Sequence, residues 1–265
     1  MAPVPKKVTT RNAAFQQWQA LLTNRSKRQR AGEFLVQGVR PITLAVEHGW
    51  EIRTLLHAEG PRSRWAQGLL DTHDGVSLTP ELMQELGGKD EQELIAVVGR
   101  PEDRLDRIPR PPDLLAVVFD RPSTPGNIGT LVRSADAFGA HGVIVTGHAA
   151  DPYDPRAVRA STGSLFALPV VRAPSHREVL DWAGPATIVA TDEHGDTDIA
   201  DVDLTGPTVI LIGNETRGLT AAWRDCAQRT ARIPIAGAAS SLNAAVAGTV
   251  VLYEAARSRR GRRSP

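Results

Sequence analysis

The sequence predicts an α/β fold in which a C-terminal parallel sheet follows a smaller α/β domain. Three observations predict it. Five short apolar or β-branched runs, "LLAVVFD" (114–120), "GVIVTG" (142–147), "ALPVVRA" (167–173), "ATIVATD" (186–192) and "TVILIGNE" (208–215), alternate with helical segments at 127–139, 155–163, 175–183 and 220–230. Such runs suit strands buried on both faces and crossed over by helices. The first half alternates too, and closes at residues 101–113, a stretch with four prolines and mixed charge that reads as a linker. The chain's 265 residues suffice for two cores.

Within the first half, residues 12–30 read as one helix, with Phe15, Trp18, Leu21 and Leu22 on its apolar stripe. "EFLVQGVRPITLAVEHG" reads as a strand and then a helix stopped at Gly49. "IRTLLHAE", a helix around Trp65–Asp71, "GVSLTPELMQELGG" and "ELIAVVGR" continue the alternation to about residue 100. The second domain then occupies 114–258, and 259–265 form a basic tail.

Composition narrows the function. Hydrophobic residues make up 41% and charged residues 23%, so the chain reads as a soluble globular protein, cytoplasmic by default. No apolar run is long enough for a membrane span, and the N-terminus has no apolar signal core. The single cysteine, Cys226, excludes an internal disulfide, and its helical spacing from Trp223 reads as a small buried hydrophobe. Seven scattered histidines offer no ligand pairing, so no metal is expected. A net charge of +1 conceals two basic ends: eight cations against Glu33 in residues 1–40, and five arginines in the closing "RSRRGRR". Such ends suit a polyanion such as nucleic acid, or are simply solvated.

Ligands of parallel sheets sit beyond strand ends, which singles out three loops. In "FDRPSTPGNIGTLVRSADAFGA", Asn127 stands where a helix starts, and Arg133 lies off that helix's apolar stripe. Alone, Arg133 reads equally as an anion-binding group or a solvated one. There is no GxGxxG, which argues against a nicotinamide-dependent dehydrogenase. In "VILIGNETRGLT", Gly213, Asn214, Glu215 and Gly218 make a glycine-bounded turn without the GK[ST] of a phosphate-binding loop. Alone, it reads as a tight strand-to-helix turn. In "IPIAGAASSLNAAVAG", an apolar strand-like piece leads to Ser241-Leu242-Asn243, followed by Ala244, Ala245, Ala247 and Gly248. Ser241 or Asn243 could cap the last helix, and the small residues allow another segment to approach closely.

Taken in order, these loops resemble the SpoU/TrmH family of RNA ribose 2′-O-methyltransferases in the SPOUT superfamily. The matching residues are Asn127-x-Gly129-x-x-x-Arg133, then Gly213-x-Glu215-x-x-Gly218, then Ile233-Pro234 through Ser241-Leu242-Asn243. The resemblance covers about residues 113–257. "NRSKRQRAGEFLVQGVR" is more loosely similar to the family's L30e-like RNA-binding domain, with Gln37 where the family usually has glutamate.

The resemblance implies a deep trefoil knot that binds S-adenosylmethionine, and a homodimer whose sites form near the subunit interface. It places the cofactor on Thr191, Gly213, Asn214, Glu215, Gly218, Ile233, Ile235, Ser241, Leu242 and Asn243. Arg133 is implied to contact the target ribose and phosphate. Glu215, Ser241 and Asn243 are implied to orient the reacting groups, and Asn127 to hold the loop. Arg25, Lys27, Arg28, Arg30 and Arg40 are the implied RNA contacts. The expected substrate is 23S rRNA, since many tRNA-acting relatives lack an N-terminal domain. Resistance to a ribosome-targeting antibiotic is one role such an enzyme can have. Action on tRNA and a non-catalytic RNA-binding role are the alternatives.

Overall fold

The computed structural model describes residues 6–88 and 91–261. They form two compact units: the described part of Met1–Pro101 together with Tyr153–Ala167, and Glu102–Pro152 together with the described part of Leu168–Pro265.

The first unit opens with β1 (Lys7–Val8), α1 (Ala13–Thr23), α2 (Arg25–Ala31), β2 (Glu33–Gln37) and α3 (Val39–Glu47). It continues with β3 (Ile52–Ala58), α4 (Arg64–Leu70), β4 (Gly75–Leu78), α5 (Pro80–Gly87) and β5 (Leu94–Gly99). Its sheet runs β1-β4-β3-β5-β2, with β5 antiparallel to both neighbours. The single helix expected over 12–30 is two. Asn24 is extended at φ −116° and its side chain accepts from the Lys27 N–H, so it caps a new helix and ends the old one. Phe15, Trp18 and Leu21 are buried as their spacing predicts, against Leu35, Leu56 and Val97 of the sheet.

The second unit begins with β6 (Leu115–Asp120), α6 (Pro125–Ala137) and β7 (Gly142–Thr146). The chain then gives α7 (Pro155–Ser161) and α8 (Ser164–Ala167) to the first unit. An aromatic cluster fixes them there. The Phe34 ring lies 4.9 Å from Tyr153 and 6.3 Å from Phe166, and the Trp50 indole N–H donates to the Phe166 carbonyl at 3.0 Å.

The second unit resumes with β8 (Val170–Ala173), α9 (His176–Ala183), β9 (Thr187–Thr191), β10 (Thr197–Asp198) and β11 (Thr208–Ile212). It ends with α10 (Ala221–Cys226), β12 (Arg229–Arg232) and α11 (Ala244–Gly261). All seven strands are parallel, in the order β10-β12-β9-β11-β6-β7-β8. The five expected strands are present. Two more were not expected: β10 has two residues, and β12 reads Arg-Thr-Ala-Arg with only Ala231 buried. The apolar Ile233-Pro234 lies outside the sheet, because pairing stops at Arg232. Residues 102–113, read as a linker, pack with this unit: Ile108 is buried and fills the space a side chain at Gly142 would need. Cys226 is half-buried, and that burial pushes its thiol up.

Helix α11 lies along α6. A Cβ at Gly248 would come within 2.5 Å of Leu131, the Ser134 and Thr249 hydroxyls are 2.7 Å apart, and Tyr253 meets Phe138 edge-on at 5.8 Å. The small residues at the start of α11 therefore serve this close packing. Arg259 anchors the other end, donating to the carbonyls of Leu204 (2.9 Å), Leu114 (3.0 Å), Gly206 (2.6 Å) and Asp113. Arg257 pairs with Glu254 on the same helix. The terminal stretch is thus structured through Gly261, and residues 262–265 of the expected basic tail lie outside the described residues.

Candidate active site

Parallel strands bring their following loops to one edge of the sheet, and three of these loops meet at Glu215. The turn after β11 is closed by reciprocal backbone bonds between Asn214 and Gly218, of 3.0 and 3.1 Å. Gly218 takes a φ of +60°, which favours glycine, and a Cβ at Gly213 would stand 2.5 Å from the Gly218 backbone. Both glycines of the second motif are therefore steric requirements.

The Glu215 carboxylate faces the loop after β6. It accepts from the Ser123 N–H (3.0 Å) and hydroxyl (2.8 Å), the Thr124 N–H (3.2 Å) and the Asn127 amide (2.9 Å). The Asn127 oxygen in turn accepts from the Asn243 amide at 3.2 Å. Asn243 settles the capping question: its side-chain oxygen accepts from the N–H groups of Ala245 (2.9 Å) and Val246 (3.3 Å), while Ser241 stands exposed before the helix. One carboxylate and two asparagines thus join the three motifs.

Burial works to raise the Glu215 pKa, but the bonds from Ser123 and Asn127 outweigh it and hold the carboxyl below its usual range. The unfolded chain then binds this proton more readily than the native one. The stabilisation is complete above the usual carboxylate range and disappears as pH falls through the lowered native value. Glu215→Gln should therefore lower stability at neutral pH and flatten the acid limb of a urea-unfolding series. An acid limb that matches the wild type would remove Glu215 from this role.

Beside the hub lies a cleft of about 400 Å³ at the ends of β9, β11 and β12. Of the expected cofactor residues, Thr191, Gly213, Asn214, Glu215, Gly218, Ile233, Ile235, Ser241 and Leu242 all line it. Asn243 does not, and acts from behind through Asn127. Arg133 lies outside the lining too, exposed on α6, two turns beyond Asn127. Among the described residues, no hydrogen bond ties positions 233–242 to any other part of the chain, so their backbone groups remain available to a ligand.

Sequence reasoning missed Asp192, Glu193 and His194, which form the turn after β9, and Arg217 and Arg224, all of which line the cleft. The rule that ligands sit beyond strand ends reaches the first three, because they directly follow Thr191. Ser123 and Thr124 carried no signal, since they act mainly through backbone N–H groups.

The expected RNA contacts all lie in the first unit. Lys27, Arg30 and Arg40 are exposed and Arg25 is half-buried. Arg28 is a correction: it is 1% exposed, donates to the Leu21 carbonyl at 2.8 Å and faces Asp154 at 3.5 Å. A guanidinium buried in this way holds α2 to the segment that returns from the second half, and offers no surface to RNA. Among the described residues, no group of His, Cys, Asp and Glu is placed to hold a metal ion, and no helix is long and apolar enough to cross a membrane.

Residues 114–253 match the SpoU rRNA Methylase family, and residues 12–96 match the SpoU L30e-like domain. A 23S rRNA (uridine(2479)-2′-O)-methyltransferase of Streptomyces viridochromogenes is 60% identical over 97% of this chain and 94% of its own length. The crystal structure of the SpoU methyltransferase AviRb from the same organism, in complex with AdoMet, is similar at a TM-score of 0.91 and 59% identity, covering 94% of this chain and 99% of that one. An AdoMet-bound rRNA methyltransferase from Sinorhizobium meliloti is similar at a TM-score of 0.87 and 31% identity, covering 95% and 97%. By motif, fold and these likenesses, the chain belongs to the SpoU rRNA methylase family.

Proposed function

We infer that this protein transfers a methyl group from S-adenosylmethionine to a ribose 2′-hydroxyl of 23S rRNA. The observation that carries this reading is the Glu215 hub, which binds three motif loops together beside a cleft at the sheet's C-terminal edge.

The cleft fits the cofactor. Its volume lies in the range of small-molecule sites, and it pairs the apolar side chains of Ile235 and Leu242 with uncommitted backbone along 233–242. Apolar side chains can cover the faces of an adenine while main-chain groups read its edge. Thr191, Gly213, Ile233 and Leu242 would hold the cofactor, which supplies an electrophilic methyl on a sulfonium.

The chain's own residues align the acceptor. Arg133 binds the ribose and its phosphate and stabilises negative charge growing on the 2′-oxygen. A guanidinium is a poor base, so the hydroxyl proton leaves to water. Glu215 is no base either, since its oxygens are occupied by Ser123, Thr124 and Asn127. It fixes the loop that launches α6, and with it the position of Arg133. Ser241 orients groups from the open side, while Asn127 and Asn243 tie the loops.

Three further parts belong to the same reading. Lys27, Arg30 and Arg40, exposed on the L30e-like unit, contact RNA, in keeping with the basic N-terminal region. The family's knot accords with β12 lying between β9 and β10, although β11 precedes it in sequence. A homodimer suits the exposed Val246 and Tyr253 of α11 and Leu242 just before it, apolar surface that a second copy would cover. A cytoplasmic location accords with work on rRNA.

The test incubates the full chain with radiolabelled S-adenosylmethionine and 23S rRNA and maps ribose methylation. Label at one uridine, equivalent to the position that names the Streptomyces relative, is the expected result. Label on tRNA alone, or none, would overturn the assignment.

A further inference from the structure

The loop at 120–122 holds a charged network to which neither the motifs nor the family likeness assigns a role. Asp120, at the end of β6, is 2% exposed. Its carboxylate accepts from the Thr146 hydroxyl (3.0 Å), the Thr220 N–H (3.0 Å) and Arg121 Nε (3.1 Å). The Arg121 guanidinium also donates through Nη2 to the Gly218 carbonyl at 3.0 Å, and the Arg121 carbonyl accepts from the Asn214 amide at 2.7 Å. Arg121 thus grips both ends of the 214–218 turn, the turn that forms one wall of the cleft.

Two features show that this arrangement is built. Arg121 takes a φ of +52°, one of only two positive-φ residues other than glycine among those described. That backbone turn lets one residue present its carbonyl to Asn214 while its side chain reaches Asp120 and Gly218. Gly147 makes room for it, because a Cβ there would lie 2.6 Å from the Arg121 Cγ. Asp120 in turn holds the guanidinium in one orientation, and a lysine's single ammonium could not serve both acceptors with the same fork.

We propose that Arg121, oriented by the buried Asp120, is a positioning residue that fixes the Gly213–Gly218 wall of the methyl-donor site. It touches no reacting atom. Its own contacts are with Asp120, Asn214 and Gly218, so its direct effect falls on the donor cleft and reaches Arg133 only through Glu215. The proposal rests on the methyltransferase reading above.

The test compares full-length wild type with Arg121→Gly and Arg121→Lys. Glycine adopts the left-handed backbone freely, so it removes the guanidinium without adding strain. Titration calorimetry with S-adenosylmethionine should show a dissociation constant raised about tenfold in Arg121→Gly, with KM for the donor rising in parallel and kcat within about twofold. Millimolar guanidinium should restore part of the lost affinity, and Arg121→Lys should fall between the two. Unchanged donor affinity in Arg121→Gly overturns the proposal, as does a loss confined to kcat. If Arg121→Gly does not fold, Asp120→Asn provides the same comparison, and unchanged donor affinity there overturns the proposal too. A wild type that binds no donor at all overturns the methyltransferase reading as well, so the two failures are distinguishable.

Discussion

Arg133→Ala is expected to lower kcat by about 10²–10³-fold or more while leaving the dissociation constant for S-adenosylmethionine within about twofold. The separation follows from geometry. Arg133 sits on α6, outside the lining of the cleft, whose walls come from the ends of β9, β11 and β12, the loop before α11, the start of α11 and Arg224 of α10. Removing an exposed side chain from α6 leaves the helix's contacts intact, since Leu131 and Ser134, not Arg133, face α11. On the function proposed above, what is lost is the positive charge beside the acceptor oxygen. Single-turnover methylation together with calorimetry of donor binding reads both quantities. An active Arg133→Ala enzyme would remove the residue from the site, and a parallel loss of donor binding would make it a cofactor ligand.

Gly195→Val should abolish soluble folding or destabilise the protein by about 3–5 kcal/mol, among the largest effects of any single substitution. An ideal Cβ at Gly195 stands 2.6 Å from the Ala231 carbonyl carbon, 2.7 Å from the Arg232 nitrogen and 2.9 Å from the Thr230 oxygen. All three are backbone atoms of β12, so no side chain can swing aside. Arg232 adds a bond to the Gly195 carbonyl at 2.8 Å, which holds the two segments together. Gly206→Ala is the control, because a Cβ there meets nothing within 4 Å. Thermal melts should leave Gly206→Ala unchanged. A Gly195→Val protein that melts like wild type would mean that the turn and β12 can separate at little cost.

These two glycines show what a sequence carries and what it hides. The five expected strands were legible because each is a short run dominated by apolar or β-branched residues, and such runs report burial on two faces. β12 was not, since Arg-Thr-Ala-Arg buries one side chain and is held by backbone pairing to β9. The slim residues after Asn243 were expected where chain segments cross. Gly248 instead meets the side chains of Leu131 and Ile212, while the tight backbone crossing falls at Gly195, which has no distinctive neighbours in sequence. At the site, the motif residues were legible as types at a spacing; the cleft gathers Gly213, Glu215, Gly218, Ile233, Ser241 and Leu242, while Asn127, Arg133 and Asn243 lie outside its lining. Arg28 was not legible. A basic cluster reads as surface, and only the returning Asp154 reveals that one member is buried.

That return has a consequence for how the protein is made. Chains emerge from the ribosome in order, at roughly 5–20 residues per second. The first unit ends at Pro101 but lacks Tyr153–Ala167, so its aromatic cluster waits 66 further residues (101 to 167), or roughly 3–13 s at those rates. During that interval Phe34 and Trp50 have no Phe166 to cover them, and the half-finished unit shows apolar surface to its surroundings. The first unit is therefore not complete when its own N-terminal stretch has been made, and part of the second unit is synthesised before it closes. Expressing residues 1–101 alone should yield an aggregation-prone fragment, even though those residues contribute all five strands of the first sheet.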